Sequence, residues 1–330
     1  MNIVYTLNNK FIPQVAAGIT SVCENNQDAK GITFYLLHTD ISKENQDKLK
    51  QYIKTYSRKI IFIKLDNLKK YFDFEFDTNG WNPIVLARLL IGKLLPNDVK
   101  KVLYLDGDTI VRNNLKELWN TKMGEKAIAA SIEPTIDKKR KNNLQLQKFP
   151  YYNAGVLLIN LKKWRTDKTD REIIEYYQKH SGQLFANDQD AINGSQKGKI
   201  HTLAPKYNSY NIFYQYPYKF LSSLCDFSYV SQSAYKEAKN NPIIVHYLGE
   251  ERPWRIGNKH KFKDDYLKYL NITPWKNQGL EKGWKLYFAC WNCFNVATKP
   301  FPKLRYTIIN SLIPTFMKIR SRKLAKNHEK

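Results

Sequence analysis

The sequence is poor in features that define several large classes of protein. It has no uninterrupted apolar run near the roughly 18 residues of a membrane-spanning helix, so none is expected. Four cysteines are too few for a disulfide scaffold and favour a reducing compartment. Cys290 and Cys293 form a C-x-x-C pair, but no second pair with zinc-ligand spacing accompanies them. The amino terminus does not resemble a secretory leader, so a cytoplasmic protein is expected.

Acidic residues are also scarce relative to basic ones. The 330 residues include 54 Lys and Arg but only 30 Asp and Glu, which gives a net charge of +24. Such a chain favours an anionic partner: nucleic acid, an anionic membrane surface or a phosphorylated substrate. The hydrophobic content of 42% indicates a folded globular protein and excludes a disordered one.

Strand-like and helix-like segments alternate over the first 110 residues. Strands are predicted at 3–7, 32–38, 59–65 and 101–105, and helices at 13–23, from Ser42 onward and at 83–95. This alternation predicts an α/β fold with a mostly parallel, doubly wound sheet flanked by helices. Further along, we predict strands at 127–131, 155–161 and 243–247, an amphipathic helix at 169–180, and a basic surface loop or lid at 138–148.

The character of the chain changes after Pro274. Residues 299–330 hold nine Lys or Arg against one acid, Glu329, a net charge of +8. Just before them, five aromatic residues recur at helical spacing: Trp284, Tyr287, Phe288, Trp291 and Phe294. We therefore expect a segment over 275–330 that lies on an anionic membrane surface without crossing it. The alternative is that the aromatic stripe packs on the main domain and the basic tail is merely solvated.

Two carboxylates follow the strand predicted at 101–105. Residues two apart in an extended segment point to the same side, so Asp106 and Asp108 are able to share one cation. Hard oxygen ligands favour Mg²⁺ or Mn²⁺, and open α/β sheets bind nucleotides at the carboxyl ends of parallel strands. Taken alone, however, Asp-Gly-Asp is equally typical of a turn.

Several segments between Ile3 and Trp254 point together to one family. They are VYTLNN from residue 4, AR at 87–88, VLYLDGD from 102, YNAGVLLINL from 152, NDQDAIN from 187 and HYLGEERPW from 246. In this order they resemble glycosyltransferase family 8, the retaining α-hexosyltransferases with a GT-A fold, and especially the bacterial lipo-oligosaccharide galactosyltransferases. The resemblance implies a GT-A catalytic domain over 1–274, followed by an α-helical basic extension over 275–330.

The resemblance also implies a set of site residues. Asp106, Asp108 and His246 would hold Mn²⁺, with Mg²⁺ as an alternative, against the diphosphate of a UDP-sugar. The implied substrate-binding residues are Thr6, Asn8, Asn9, Arg88, Asp106, Gly107, Asn153, Ala154, Asp188, Gly249 and Arg252. Taken alone, the pattern favours a buried core histidine at His246, and Arg88 has a surface arginine as its alternative.

Some of these residues have individual expected roles. Asn8 or Asn9 stands where the family often has an aspartate that contacts uracil. Arg252 replaces the usual lysine and would hold a phosphate bidentately. Gly249 would allow the backbone to approach the diphosphate closely.

Gln189 and Asp190 are the implied catalytic residues. Retention of configuration needs either a nucleophile on the far face of the anomeric carbon or attack from the same face within an ion pair. An amide is a poor nucleophile, so we expect same-face attack with the departing UDP oxygen as the base. The carbonyl of Gln189 would stabilise the oxocarbenium character, and Asp190 is a second candidate nucleophile. Asp188 would bind sugar hydroxyls, although it is also a possible helix cap.

Three functions are compatible with the sequence. The first is a Mn²⁺-dependent hexosyltransferase that moves galactose or glucose from a UDP-sugar, through an α linkage, to a cell-surface glycan. Its acceptor would be lipopolysaccharide, lipo-oligosaccharide, capsule or glycoprotein, and it would act at the cytoplasmic face of the membrane. The second is a self-glucosylating primer protein of the same fold, with a tyrosine as acceptor. The third is a basic nucleic-acid-binding protein, for which no sequence motif is present.

Overall fold

The computed structural model of the protein describes residues 1–78 and 80–328. Its strands are β1 Asn2–Leu7, β2 Thr33–His38, β3 Lys59–Lys64, β4 Lys101–Leu105, β5 Thr109–Val111, β6 Ile128–Ile132, β7 Tyr152–Asn160, β8 Ile200–Leu203 and β9 Ile244–His246. Its α-helices are α1 Ile12–Asn25, α2 Lys43–Lys54, α3 Ile91–Leu94, α4 Lys116–Trp119, α5 Lys138–Asn143, α6 Leu161–Thr166, α7 Thr169–Lys179, α8 Asn187–Ser195, α9 Ile212–Gln215, α10 Tyr218–Ser223, α11 Gln232–Asn240, α12 Lys263–Leu270, α13 Lys285–Thr298 and α14 Pro302–His328.

Seven strands form the central sheet in the order β3-β2-β1-β4-β7-β6-β8. All neighbours are parallel except β7, which is antiparallel to both β4 and β6. Because β7 reverses the direction twice, β4 and β6 run the same way, and the start of β7 lies at the edge where they end. Strands β5 and β9 form a second, two-stranded antiparallel sheet beside this edge.

Buried apolar side chains cover both faces of the central sheet. Along β1, Ile3 and Tyr5 join one core cluster and Val4 joins the other, as the alternation of side chains in a strand requires. Strands buried on both faces are continuous apolar runs, which is why β1 and β4 could be predicted from the sequence.

The predicted α/β fold with a mostly parallel sheet is confirmed, with three local corrections. Residues Pro83–Leu90 form a 3₁₀ helix before α3, because a short apolar run does not distinguish the two helical pitches. Residues 138–148 are not a surface loop: α5 begins at Lys138, and the side chains of Lys141, Leu144 and Leu146 are buried. Strand β7 begins three residues before its predicted start.

The segment from residue 275 onward contains α13 and α14. The side chain of Phe288 is buried, the Trp291 indole donates to Glu251 Oε1 (2.8 Å), and the Arg255 guanidinium lies 3.5 Å from the centre of the Trp284 ring. These three aromatic rings therefore contact the main domain, as the alternative interpretation of the stripe expected. Among the described side chains of this segment, the exposed large apolar ones are Leu286, Tyr287, Val296, Phe301, Leu304 and Leu312. Within the described part of the chain, no helix combines the length and apolar character needed to cross a membrane.

Candidate active site

A cavity of about 390 Å³ opens at the edge of the sheet where β4 and β6 end. Asp106 follows β4, Glu133 follows β6, and Asn153 is the second residue of β7, so the strand order alone brings these polar residues to one place. Of the residues predicted from the sequence, the cavity is lined by Thr6, Asn8, Arg88, Asp106, Gly107, Asp108, Asn153, Asp188, Gln189, His246, Gly249 and Arg252. Asn9, Ala154 and Asp190 lie outside this lining.

Asp106, Asp108 and His246 converge on one side of the cavity. Their nearest ligand atoms all lie within 4.8 Å of one another. His246 Nε2 is 3.3 Å from Asp108 Oδ1 and 3.7 Å from Asp106 Oδ2. The convergence follows from β9, which pairs with β5 and places His246 opposite Thr109, next to Asp108.

The surroundings of His246 fit a metal ligand. Its Nδ1 contacts Asn208 Oδ1 at 3.0 Å, whereas its buried Nε2 has no hydrogen-bond partner in the described structure. A bond at Nδ1 fixes the tautomer that leaves the lone pair of Nε2 directed at the two carboxylates, as in many metal sites. Burial lowers the pKa of His246, but Asp108 and Asp106 outweigh it, so the net shift is upward. Burial alone would raise the pKa of Asp108, but His246 and Arg252 together outweigh burial, so the net shift of this pKa is downward.

Gly155 makes room for this histidine. A Cβ atom at Gly155 would lie 2.2 Å from His246 Cε1 and 3.0 Å from Asp106 Oδ2. The carbonyl of Gly155 also accepts the backbone N–H of Asp106 (2.8 Å), which joins β7 to the exit of β4. Glycine is therefore required at 155 by close approach.

Arg88 lies between the two sides of the cavity and is not a surface arginine. It is 6% exposed, and its guanidinium contacts Asp106 Oδ1 at 3.0 Å and Asp188 Oδ2 at 2.7 Å. It also donates to the carbonyl of Ala154 (2.7 Å). Asp106 receives a further hydrogen bond from the Tyr104 hydroxyl (2.7 Å), which in turn contacts Thr6 Oγ1 (2.8 Å). The carboxylates thus stabilise a buried cation that remains protonated.

Asp188 and Gln189 form the opposite side, at the start of α8. Burial raises the pKa of Asp188 to about 6, although Arg88 acts in the opposite direction. Gln189 Oε1 accepts the backbone N–H of Ala154 (2.9 Å), and its Nε2 donates to the Tyr151 hydroxyl (2.9 Å) and to Glu133 Oε2 (3.2 Å). The amide therefore has a fixed orientation in the cavity wall.

Asp190 is directed away from the cavity. It is 1% exposed and is held by Arg140 (2.6 Å), by the Tyr151 hydroxyl (2.7 Å) and by the backbone N–H of Ala186 (2.9 Å). Arg140 belongs to α5, so the stretch predicted as a lid instead supplies the cation that neutralises Asp190. A carboxylate paired in this way is poorly placed to act as the second candidate nucleophile.

Sequence reasoning missed two residues that connect the sides of the cavity. Asn208 bonds both His246 and Asn153, and Asn153 Nδ2 donates to Glu133 Oε2 (2.9 Å). Glu133 follows β6 directly, so an acid at the exit of a predicted strand was an available signal. Asn208 offers no such signal, because it meets His246 only through tertiary packing.

Of the three residues predicted to form the uridine pocket, two line the cavity and the third lies elsewhere. Thr6 and Asn8 line the cavity, and Asn8 Oδ1 also caps the following 3₁₀ turn. Asn9 is elsewhere: its side-chain oxygen accepts from Ser42 N (3.1 Å) and Asn45 Nδ2 (2.9 Å), which ties β1 to the start of α2.

The loop after β9 carries Gly249 and Arg252 to the metal-ligand side. Gly249 has a φ of +79°, a conformation that favours glycine. The Arg252 guanidinium lies 5.6 Å from the Phe11 ring centre and 5.5 Å from that of Trp254, and its Nη2 is 3.9 Å from Asp108 Oδ2. The loop is fixed from behind by Glu251, which accepts from Gln215 (2.6 Å) and from Trp291 of α13.

The arrangement separates two chemical environments within one cavity. One side has two carboxylates, the Nε2 of His246, which has no hydrogen-bond partner among the described residues, and Arg252, whose Nε donates to the carbonyl of Gly249 (3.0 Å). This set suits a divalent cation and an anionic phosphate. The other has a carboxylate and an oriented amide, which suit hydroxyl groups.

Comparisons with known proteins identify the family and its relatives. Residues 2–256 match the family described as Glycosyl transferase family 8. General stress protein A of Bacillus subtilis is 22% identical over 84% of this chain and 96% of its own length. The lipopolysaccharide 1,3-galactosyltransferase of Salmonella typhimurium is 23% identical over 84% of this chain and 80% of its own.

Solved structures show the same fold. The crystal structure of the galactosyltransferase LgtC with donor and acceptor sugar analogues superposes with a TM-score of 0.71 at 25% identity, covering 86% of this chain and 99% of that one. This likeness confirms the predicted GT-A architecture. The family match spans more than half of the chain and includes every residue of the cavity except Met317. The chain belongs to glycosyltransferase family 8.

Proposed function

We propose that this glycosyltransferase moves galactose or glucose from a UDP-sugar to a cell-surface saccharide with retention of configuration. The observation that carries the proposal is the unpartnered Nε2 of His246, directed at Asp106 and Asp108 in a cavity whose opposite side presents Asp188 and Gln189. The names of relatives that act on lipopolysaccharide support an acceptor of that class.

Asp106, Asp108 and His246 would hold the divalent cation, Mn²⁺ or Mg²⁺. Once bound, such an ion supplies positive charge opposite the diphosphate that departs. Arg252 lies beside Asp108, and its terminal nitrogens would hold a phosphate oxygen while its Nε donates to the carbonyl of Gly249. The glycine conformation at 249 allows the backbone to come close. Thr6 and Asn8 are the candidates for contacts with uridine.

Transfer would break the bond between the anomeric carbon and the phosphate oxygen and form a bond from that carbon to the acceptor oxygen. The proton of the acceptor hydroxyl passes to the departing phosphate oxygen. Gln189 has one lone pair of its carbonyl engaged by Ala154, and the other is available to stabilise positive charge on the sugar. Asp188 would accept sugar hydroxyls, and Asp190 would act as a positioning residue through Arg140 and Tyr151.

We further propose that the enzyme works at the cytoplasmic face of a membrane, on which the segment 275–330 rests. The supporting observation is the outward apolar surface formed by Leu304 and Leu312 on α14 and by Phe301 just before it. The basic residues expected to attract anionic lipid are mostly Lys318 and those after it, whose side chains lie outside the described part of the structure.

Removal of a metal ligand should abolish catalysis. We expect Asp108→Asn to lower the rate of UDP release from UDP-galactose or UDP-glucose by at least ~100-fold, the scale of one strong electrostatic contributor. Asp66→Asn, which alters an exposed carboxylate, should keep the wild-type rate. Wild-type enzyme stripped with EDTA should be inactive and should recover on addition of Mn²⁺. Full activity in excess EDTA would disprove the metal requirement.

Substitution of Gln189 should separate catalysis from donor binding. Gln189→Ala is expected to reduce turnover by about 100-fold, with the dissociation constant of UDP within a factor of two of wild type. Gln183→Ala, at an exposed position just before α8, is the matched control.

Proton NMR of the first-formed product should show an α linkage. A β product would exclude retention, and a collapse of UDP affinity would contradict the placement of Gln189 at the sugar.

Membrane binding should depend on the outward face of α14. The double variant Leu304→Glu with Leu312→Glu should no longer sediment with phosphatidylglycerol vesicles in low salt, because two charges oppose both insertion and the anionic surface. Tyr71→Glu with Ile272→Glu makes the same change in charge at exposed apolar positions outside α13 and α14, and should sediment as wild type does. If wild-type protein stays in the supernatant, or both double variants behave alike, the membrane surface lies elsewhere.

A further inference from the structure

A second cavity, of about 620 Å³, adjoins the active site. The two cavities share Glu133, Arg140 and Phe185 in their walls. Glu133 is the residue that bonds both Gln189 and Asn153, so the second cavity begins at the side of the active site opposite the metal-ligand triad. A molecule held there reaches the sugar end of the donor cavity without crossing the phosphate side.

One face of α14 forms a wall of this second cavity. The lining residues of the helix are Tyr306, Ile309, Asn310, Ile313 and Pro314, which recur at the three- and four-residue spacing of one helical face. Met317, one turn further along, lines the active-site cavity itself. The outward residues Leu304 and Leu312 lie on a different face. The two faces of α14 therefore have different partners.

The start of α14 is anchored to the catalytic domain. Arg305 is 2% exposed, lies over the Tyr216 ring at 5.7 Å and donates to Thr298 Oγ1 (3.2 Å). The Tyr306 ring packs edge-on against Phe220, with centres 5.7 Å apart, and its hydroxyl reaches the carbonyl of Thr135. At this end of α14, the wall of the second cavity is therefore held in place by packing on the main domain.

The lining of the second cavity suits a saccharide. Sugars present apolar C–H faces and hydroxyl edges, and the cavity offers the rings of Tyr216, Tyr306 and Phe185 beside the amides of Gln215 and Asn310. The backbone carbonyl of Asn310 is a further acceptor, because Pro314, four residues later, has no N–H to form the usual helical hydrogen bond with it. The volume falls within the range of about 300–1,000 Å³ common for small-molecule sites.

We propose that this second cavity is the acceptor subsite, and that the Tyr306–Met317 face of α14 sets acceptor specificity. The occupant is the terminal one or two sugars of a glycan, with the accepting hydroxyl directed past Glu133 into the active site. This inference rests on the proposed function, and it assigns to the carboxyl-terminal helix a role in substrate recognition in addition to any membrane contact. The helix lies beyond residues 2–256, the part of the chain that matches the family.

The test fills the cavity from the helix side. Ile313→Trp places a larger side chain in the second cavity, whereas Thr315→Trp adds an indole to an exposed position two residues away. Octyl β-galactoside, octyl β-glucoside and octyl β-lactoside serve as probes. Two quantities are measured: binding of each glycoside by saturation-transfer NMR, and UDP release from UDP-sugar with and without glycoside.

We expect at least one glycoside to bind the wild type and to speed UDP release. Ile313→Trp should raise the KM or dissociation constant of that glycoside at least ten-fold, with glycoside-free hydrolysis and UDP affinity within a factor of two. Thr315→Trp should match the wild type. Equal glycoside affinity in both variants, or no binding of any glycoside to the wild type, would overturn the subsite. A wild type that binds glycosides but releases no UDP would instead overturn the proposed function, while the NMR comparison still tests the subsite.

Discussion

The site is organised around one buried cation, the guanidinium of Arg88. It contacts Asp106 on the metal-ligand side and Asp188 on the sugar side, and also bonds the carbonyl of Ala154 at the start of β7. A buried charge of this kind is tolerated only when it is paired, and removal of one partner leaves the others uncompensated. The position of Arg88 therefore couples the two chemical environments of the cavity. The same guanidinium that orients Asp106, a candidate metal ligand, also orients Asp188, the carboxylate proposed to bind sugar hydroxyls.

A continuous set of hydrogen bonds extends this coupling around the cavity. It passes from His246 through Asn208, Asn153 and Glu133 to Gln189, and then through Tyr151 to Asp190 and Arg140. Chains of hydrogen bonds in a low-dielectric interior restrict the orientation of their members. The groups proposed to contact donor and acceptor are thus oriented before substrate binds, which is the condition for effective electrostatic stabilisation of a transition state.

The carboxyl-terminal helices also fix residues at the edge of the site. Trp291 of α13 holds Glu251, the neighbour of Arg252, and α14 lies along the second cavity. The aromatic spacing and the basic run after it favoured a membrane surface for the stripe of α13, with packing on the main domain as the alternative. Spacing does not decide between them, because an aromatic face has the same spacing whichever partner it meets. In the structure, Phe288 and Trp291 contact the catalytic domain, whereas Tyr287 of the stripe is exposed, as are Leu286, Val296 and Phe301.

The parts of the site that could be predicted are those set by local pattern. Asp106 and Asp108 follow a buried strand, and the exit of such a strand is a known position for ligands. His246 required the family resemblance, since a lone histidine after a short strand has no distinguishing spacing. Asn208 and Arg140 could not be predicted, because they meet His246 and Asp190 only through contacts 38 and 50 residues apart in sequence.

The central claim is that Asp106, Asp108 and His246 form one metal site whose shape depends on Gly155. Calorimetric titration of Mn²⁺ into the protein, in the presence of UDP, tests it without reference to turnover. Gly155→Ala should bind Mn²⁺ at least ten-fold more weakly than the wild type, because its Cβ would meet the His246 ring at 2.2 Å. Gly31→Ala, where an added Cβ contacts nothing within 4 Å, should bind as the wild type does. Equal Mn²⁺ affinity in a folded Gly155→Ala protein, verified by circular dichroism, would contradict the account.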